Sequence, residues 1–204
     1  MIRIYILVCL LSLAITDVSA SASYTYDLKR LASYGYRQER AAIVVVPNEQ
    51  RLYVIKKHKV IRSYPISTSK YGLGNLEGSF KTPTGMHRIK QKIGMKAKKN
   101  EILRARKRSG IIARINRTKN ASGLDILTSR IMWLEGLELH HNNGARKDSY
   151  NRYIYLHGTD QEGRIGEPSS DGCVRLKNKD AIELFSIVRE GTLVDILPIP
   201  YYNH

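Results

Sequence analysis

A mainly β domain, with a curved or sandwich-like mixed sheet and one or two packed helices, is the fold class this sequence predicts. Three observations carry that expectation. Short apolar runs separated by turn signals fill residues 42–68, the pattern of an antiparallel meander. Further apolar pieces of strand length recur at 124–127, 131–134, 153–156 and 192–197. Helical spacing is clear in one place only, where Ile182, Phe185 and Val188 fall three residues apart with Leu184 alongside.

Length and composition suit one such domain. The chain has 204 residues, 42% hydrophobic and 25% charged, which is enough for a single core and excludes disorder, collagen and a multi-span membrane protein. One Trp and two Phe leave core filling to aliphatic residues and to 13 Tyr. Lys plus Arg number 34 against 18 Asp plus Glu, a net charge of +16 that calls for an acidic partner or surface.

Taken in order, residues 1–20 read as a signal peptide. Arg3 supplies the positive start, Ile4 to Ala14 are apolar apart from Ser12, and Val18-Ser19-Ala20 offers a small-residue cleavage site. The apolar run falls short of the ~18 residues of a membrane span. The expectation is an exported protein of the periplasm or cell-wall compartment, with no transmembrane anchor after cleavage. The N-terminal segment 21–41 is polar and Tyr-rich, with Leu28 and Leu31 suggesting a short helix stopped at Gly35.

The main domain is expected over 42–197. Its strands begin with Ile43 to Val46, ended by Pro47-Asn48, followed by Arg51 to Ile55 and Val60 to Thr68. Gly72, Gly74 and Gly78 make a loop, and Thr82-Pro83-Thr84-Gly85 turns into a strand over Met86 to Ile89. Residues 88–119 then hold thirteen Lys or Arg and one acid, Glu101, without a sustained strand or helix period. This stretch reads as a mobile basic insertion or lid. Beyond the polar loop 140–151 comes the aromatic strand Tyr153 to Leu156, closed by His157. Asn178 reads as the cap of the C-terminal helix, Gly191 as its stop, Thr192 to Leu197 as the last strand, and 198–204 as a tail.

Removal of Cys9 with the leader leaves one thiol, Cys173. A lone cysteine in an oxidising compartment is a nucleophile, an intermolecular bridge or a buried structural residue. A thiol becomes a useful nucleophile when an imidazole takes its proton, and His157 stands sixteen residues upstream at a strand end. Gly166, Pro168 and Gly172 let the connection turn back, and small residues before the cysteine let backbone N–H groups approach an oxyanion. His140-His141 do not share a face and lack a completing ligand, so no metal is expected. His58 and His87 read as surface residues.

The string YIYLHGTDQEGRIGEPSSDGCVRL at 153–176 resembles the signature of the L,D-transpeptidase catalytic domain, the YkuD-type family. That signature is a strand ending in His-Gly-Thr, a short Gly-containing loop, then Ser-x-Gly-Cys-Ile/Val-Arg. The resemblance extends to Leu52–Thr68, to Lys81-Thr82-Pro83-Thr84-Gly85 and to Asn178–Leu197, so it spans about residues 42–197. It implies the L,D-transpeptidase fold, with Cys173 as nucleophile and His157 as proton donor and acceptor. It further implies Gly172 and Cys173 N–H groups in the oxyanion hole, the Gly158 carbonyl orienting the imidazole, and Ser170 and Arg175 shaping the site and meeting substrate. Where many members carry His before Gly-Cys, this chain has Asp171, whose carboxylate is expected near the thiol. The alternative for Arg175 is a purely structural ion pair with an acid such as Asp171.

The activity so implied is acyl transfer on peptidoglycan stem peptides. Cys173 would cleave the L,D bond before the terminal D-alanine, and the thioester would pass to an amine. The products would be a 3→3 cross-link or a wall-anchored protein, for example one of the outer membrane. No cofactor is implied. Two alternatives stay open: an L,D-carboxypeptidase trimming stem peptides, and a non-catalytic basic module of the cell envelope. Nucleic acid is not an expected partner, because 88–119 lacks interleaved aromatics.

Overall fold

The β-rich pattern becomes ten strands and two α-helices in a computed structural model of the chain, which describes residues 28–120 and 125–198. The expected leader, residues 21–27 and most of the tail lie outside the described residues. In chain order the elements are α1 (28–33), β1 (Ala42–Val46), β2 (Arg51–Lys56), β3 (Lys59–Ser67), β4 (Gly85–Ile93), β5 (Glu101–Arg104) and β6 (Lys107–Ile112). There follow β7 (Leu127–Gly136), β8 (Tyr155–Thr159), β9 (Val174–Leu176), α2 (Asn178–Ile187) and β10 (Leu193–Ile196). The expected mainly β class, a mixed sheet with few helices, is what forms.

The strands lie in the order β4-β10-β1-β2-β3-β9-β8-β7-β5-β6, and β4 also pairs with β7. That extra pairing closes eight strands into a ring, which leaves them without open edges, while β5 and β6 project from β7. β1–β2–β3 is the antiparallel meander that the opening pattern predicts. The parallel pairs are β1–β10 and β8–β9.

Alternation along the strands fills the ring. Ile43 and Val45, Leu52 and Val54, Leu134, Leu156 and Val174 point into one core, joined by Ala181, Leu184 and Phe185 of α2. Each such aliphatic side chain contributes roughly 1.5–3 kcal/mol on burial. Ala42 and Val44 face the other way, beneath Leu28 and Leu31 of α1. β1 is thus covered on both faces, the reason its run is continuously apolar rather than alternating.

Four sequence expectations need correction. The aromatic strand begins at Tyr155, not Tyr153, and continues to Thr159, because Arg152 and Tyr153 are held in a turn by bonds to Asp148 and Tyr150 carbonyls. His157 therefore lies inside β8 rather than closing it. Asn178 is not the cap of α2. Lys177 holds that position in an extended conformation, while the Asn178 side chain reaches across to β7 and β8.

The basic stretch is not a mobile insertion. Residues 88–93 are β4 itself, and β5–β6 is a hairpin whose two-residue turn, Ala105-Arg106, has φ of 45° and 64°, the turn that suits strand twist. Its one acid organises it. Glu101, 1% exposed, accepts from Arg108 and from the N–H groups of Lys98 and Gly110.

His87 is fully buried rather than superficial. Its Nδ1 meets Gly85 O at 2.8 Å and its Nε2 meets Ser149 Oγ at 3.0 Å. Burial pushes the imidazole down to about 4, so the folded chain keeps it neutral where the unfolded chain protonates it near 6.5. Between these values the unfolded state binds more protons, so His87 removes stability as pH falls, by on the order of 3 kcal/mol in all. Asp195, raised to about 6 chiefly by burial, acts in the opposite sense between 3.8 and 6. The denaturation midpoint of His87→Asn should consequently fall less steeply than wild type from pH 6.5 to 4. Equal slopes in urea titrations would refute this.

Candidate active site

Register decides which residues meet. In the parallel β8–β9 pair, Leu156 lies beside Val174 and His157 beside Arg175. Leu156 and Val174 enter the core, so two-residue alternation turns Tyr155, His157, Cys173 and Arg175 to the opposite face. There they adjoin Ile131 and Trp133 of β7, with Leu103 of β5 packed over them. The hairpin tip arches further, placing Arg106 5.0 Å from the Trp133 ring and 5.3 Å from that of Tyr153. One wall of the candidate site is therefore aromatic and capped by a guanidinium.

Within this face His157 is fully buried. Its Nδ1 lies 2.8 Å from the Gly158 carbonyl, an acceptor only, which fixes the proton on Nδ1 and leaves Nε2 as the free acceptor. Nε2 has no hydrogen-bond partner among the described residues. Burial lowers the imidazole pKa below its ordinary value, against an opposing pull from Asp125. A buried, neutral imidazole nitrogen so placed is able to accept a proton.

Gly158 is glycine for a reason of space. A Cβ there would sit 2.8 Å from both Asn178 Oδ1 and Thr128 O. Asn178 fills that space as a clamp: it accepts from Thr128 Oγ1 at 2.6 Å and Ser129 Oγ at 2.5 Å, and donates to Thr159 O at 2.8 Å. The start of α2, the bulge in β7 and the end of β8 are thereby locked together behind the histidine.

The thiol of Cys173 donates to Tyr153 O at 3.4 Å, and its sulfur accepts the Tyr155 N–H at 3.4 Å. It is not hydrogen-bonded to His157 in this resting arrangement. The thiol pKa is pushed up to about 12, mostly by burial and further by the Asp125 carboxylate, which Arg175 and Arg152 partly offset. The resting pair is a neutral thiol beside a neutral imidazole.

The other candidate residues sit beneath the loop rather than on the cleft. Ser170 is fully buried; its hydroxyl donates to Cys173 O at 2.6 Å and accepts the Gly172 N–H at 3.3 Å, bracing the turn. Gly172 has φ +122°, a conformation that favours glycine. Arg175, 2% exposed, forms an ion pair, with Asp125 at 2.7 Å and not with Asp171. Asp171 instead pairs at the surface with Lys70 at 2.9 Å. The carboxylate that bears on the thiol is thus Asp125, fifty residues from its arginine and without a local motif to mark it. Tyr155, Trp133, Arg106 and Arg152 were likewise invisible as site residues, since only strand register and loop return bring them here.

His140 and His141 are exposed, and no cluster that could hold a metal occurs among the described residues. No helix among those residues is long and apolar enough to cross a membrane.

The electrostatics give a direct expectation. Asp125→Asn removes the charge that disfavours the thiolate and frees Arg175 to favour it, so thiol alkylation at pH 8 should rise about tenfold, one unit of pKa. Asp171→Asn should alkylate like wild type. The reverse order of rates, measured by iodoacetamide labelling and intact mass, would reassign the controlling carboxylate.

Comparison with known proteins gives the family. Residues 40–196 match the family model for YkuD, the L,D-transpeptidase catalytic domain. Over 162 residues the chain is 32% identical to "Probable L,D-transpeptidase YcfS" of Escherichia coli (strain K12), a match covering 79% of this chain and 45% of that protein. A 41-residue stretch is 54% identical to "Putative L,D-transpeptidase YkuD" of Bacillus subtilis (strain 168), covering 20% of this chain and 25% of that one. The chain therefore spans less than half the length of these relatives. Among solved structures, an L,D-transpeptidase from Mycobacterium smegmatis shares the fold with a TM-score of 0.50 at 17% identity, over 78% of this chain and 59% of that one.

Proposed function

Because the chain belongs to the YkuD family of L,D-transpeptidase catalytic domains, we propose that it is a cysteine acyltransferase acting on peptidoglycan stem peptides outside the cytoplasmic membrane. The observation that carries the reading is the unpartnered Nε2 of His157, locked in its tautomer by Gly158, on the same sheet face as Cys173.

The proposed reaction runs in two halves. Substrate displaces the Cys173 thiol from Tyr153 O and re-aims it toward His157. Nε2 takes the thiol proton as sulfur attacks the carbonyl before the terminal D-alanine, so the negative charge moves onto the substrate oxygen. Backbone N–H groups at Gly172 and Cys173 receive that oxyanion; the Gly172 N–H must turn from its long contact with Ser170 to do so. The imidazolium returns its proton to the departing amine, D-alanine leaves, and a thioester remains on Cys173. An acceptor amine then attacks, gives its proton to His157 and restores the thiol.

The acceptor sets the outcome. The side-chain amine of another stem gives a 3→3 cross-link, a protein amine gives wall anchoring, and water gives carboxypeptidase activity. A purely binding role is disfavoured, because a buried imidazole nitrogen without a partner costs stability and a binding module has no use for it.

Isolated peptidoglycan incubated with the purified protein should yield 3→3 cross-linked muropeptides by mass analysis. Cys173→Ala should abolish them and His157→Ala should slow their formation by at least about a hundredfold, the usual contribution of a general base. Activity should persist below pH 6.5 and fail only as the medium passes the lowered pKa of His157, since the base must be neutral. Unchanged muropeptides with wild type, or identical products from Cys173→Ala, would overturn the reading.

A further inference from the structure

The proposed reaction leaves one charged group of the substrate unaccounted for. The departing residue carries a free α-carboxylate, one residue or about 3.8 Å of chain beyond the attacked carbonyl. A carboxylate held that close to a half-buried thiol needs a cation, or its desolvation opposes binding.

Arg175 and Arg152 both stand near enough to Cys173 to act on its charge. Arg175 is committed to Asp125 and sealed from solvent. Lys70, beyond the loop, is committed to Asp171. Arg152 differs from both. Its guanidinium donates only to neutral backbone carbonyls, Lys81 O at 2.7 Å and Gly74 O at 3.3 Å, and no carboxylate lies within ion-pair distance of it among the described residues. Two contacts tie it to the nucleophile. Lys81 O packs against Gly172, 3.5 Å from where a Cβ would be, and the residue next to Arg152, Tyr153, supplies the carbonyl that holds the thiol.

Arg152 is also accessible. It is half-buried and borders a surface cavity of about 360 Å³ with Glu77, Arg146, Asp148 and Asn151. Its two backbone bonds pre-orient the planar fork while three of its five N–H donors stay available, the arrangement that suits bidentate recognition of a carboxylate.

Building on the function proposed above, we propose that Arg152 is the specificity-determining residue for the leaving group, binding the free C-terminal carboxylate of the departing D-amino acid. The site accordingly selects stems that end one residue beyond the scissile bond. A longer stem, or one with a blocked terminus, presents an amide where the guanidinium requires a negative charge.

Two synthetic stem tetrapeptides, one ending in D-alanine and one in D-alaninamide, test this directly, because they differ only in that charge. Wild type should release D-alanine with a kcat/KM about ten- to a hundredfold above that for D-alaninamide, the usual range for a charge-assisted bond. Arg152→Gln should bring the ratio near one by slowing the acid far more than the amide, and Arg152→Lys should keep part of it. A merely structural effect on the 74–81 loop, or an altered thiol, would slow both peptides together and leave the ratio intact.

Arg106→Gln, at the other guanidinium of the cleft, should preserve the ratio. Equal rates for both peptides with wild type would overturn the carboxylate subsite while leaving acyl transfer standing. Loss of the ratio in Arg106→Gln but not in Arg152→Gln would move the subsite to the hairpin. Cleavage of neither peptide by wild type, or cleavage by Cys173→Ala, would overturn the proposed function and this inference with it.

Discussion

The parallel pairing of β8 with β9 is the constraint on which the rest of this structure depends. Sheet geometry alternates side chains with a period of two, so the register His157 beside Arg175 determines which four residues share the outer face. A slip of one residue would bury Cys173 in the core and turn Val174 outward. Parallel strands need a crossover, and here it is the loop 160–173 rather than a long helix. The loop is held in place by bonds from Gly166 N–H to Ile66 O, from Ser169 and Ser170 N–H to Thr68 O, and from Lys70 N–H back to Ser170 O. The end of β3 therefore serves as the template on which the cysteine-bearing loop is laid.

How much of this is legible in the sequence follows from the range of the interactions concerned. Strands β1 to β3 and β10 are read to within a residue or two, because periodicity and turn chemistry are local; helix α2 is found where expected but ends at Ile187, with Val188 rather than Gly191 closing it. The His-Gly-Thr and Ser-x-Gly-Cys strings are local as well. Asp125 is not: its partner Arg175 is fifty residues away, whereas Asp171 is near only along the chain and points to Lys70. His87 misleads for a related reason. It lies among polar and basic neighbours, yet strand β4 is paired on both sides there, with β10 and with β7, which seals the imidazole from water.

The hairpin β5–β6 shows how composition misdirects. Thirteen basic residues against one acid read as a solvated run, and most of those side chains are indeed exposed. The order comes from the exception. Glu101 is buried, and a carboxylate there needs partners, so the chain folds around it with two backbone N–H groups and Arg108. The hairpin so formed places Leu103 over the sheet and Arg106 over Trp133 and Tyr153, which turns an apparently featureless segment into one wall of the cleft.

Burial also sets the terms of the proposed chemistry. Low polarity raises the Cys173 thiol and lowers the His157 imidazole, so proton transfer between them would create two charges that the site disfavours in isolation. Asp125 favours the imidazolium but opposes the thiolate, and Arg175 does the reverse, so the two charges of the buried ion pair work against each other in the transfer. The resting thiol is therefore protonated, and in the proposed reaction charge separation is relieved as the sulfur's charge passes to a substrate oxygen. The proposed leaving-group carboxylate then calls for an arginine outside that buried pair. Arg175 cannot meet an anionic substrate without abandoning Asp125, whereas Arg152, bonded only to neutral carbonyls, can do so without breaking an ion pair.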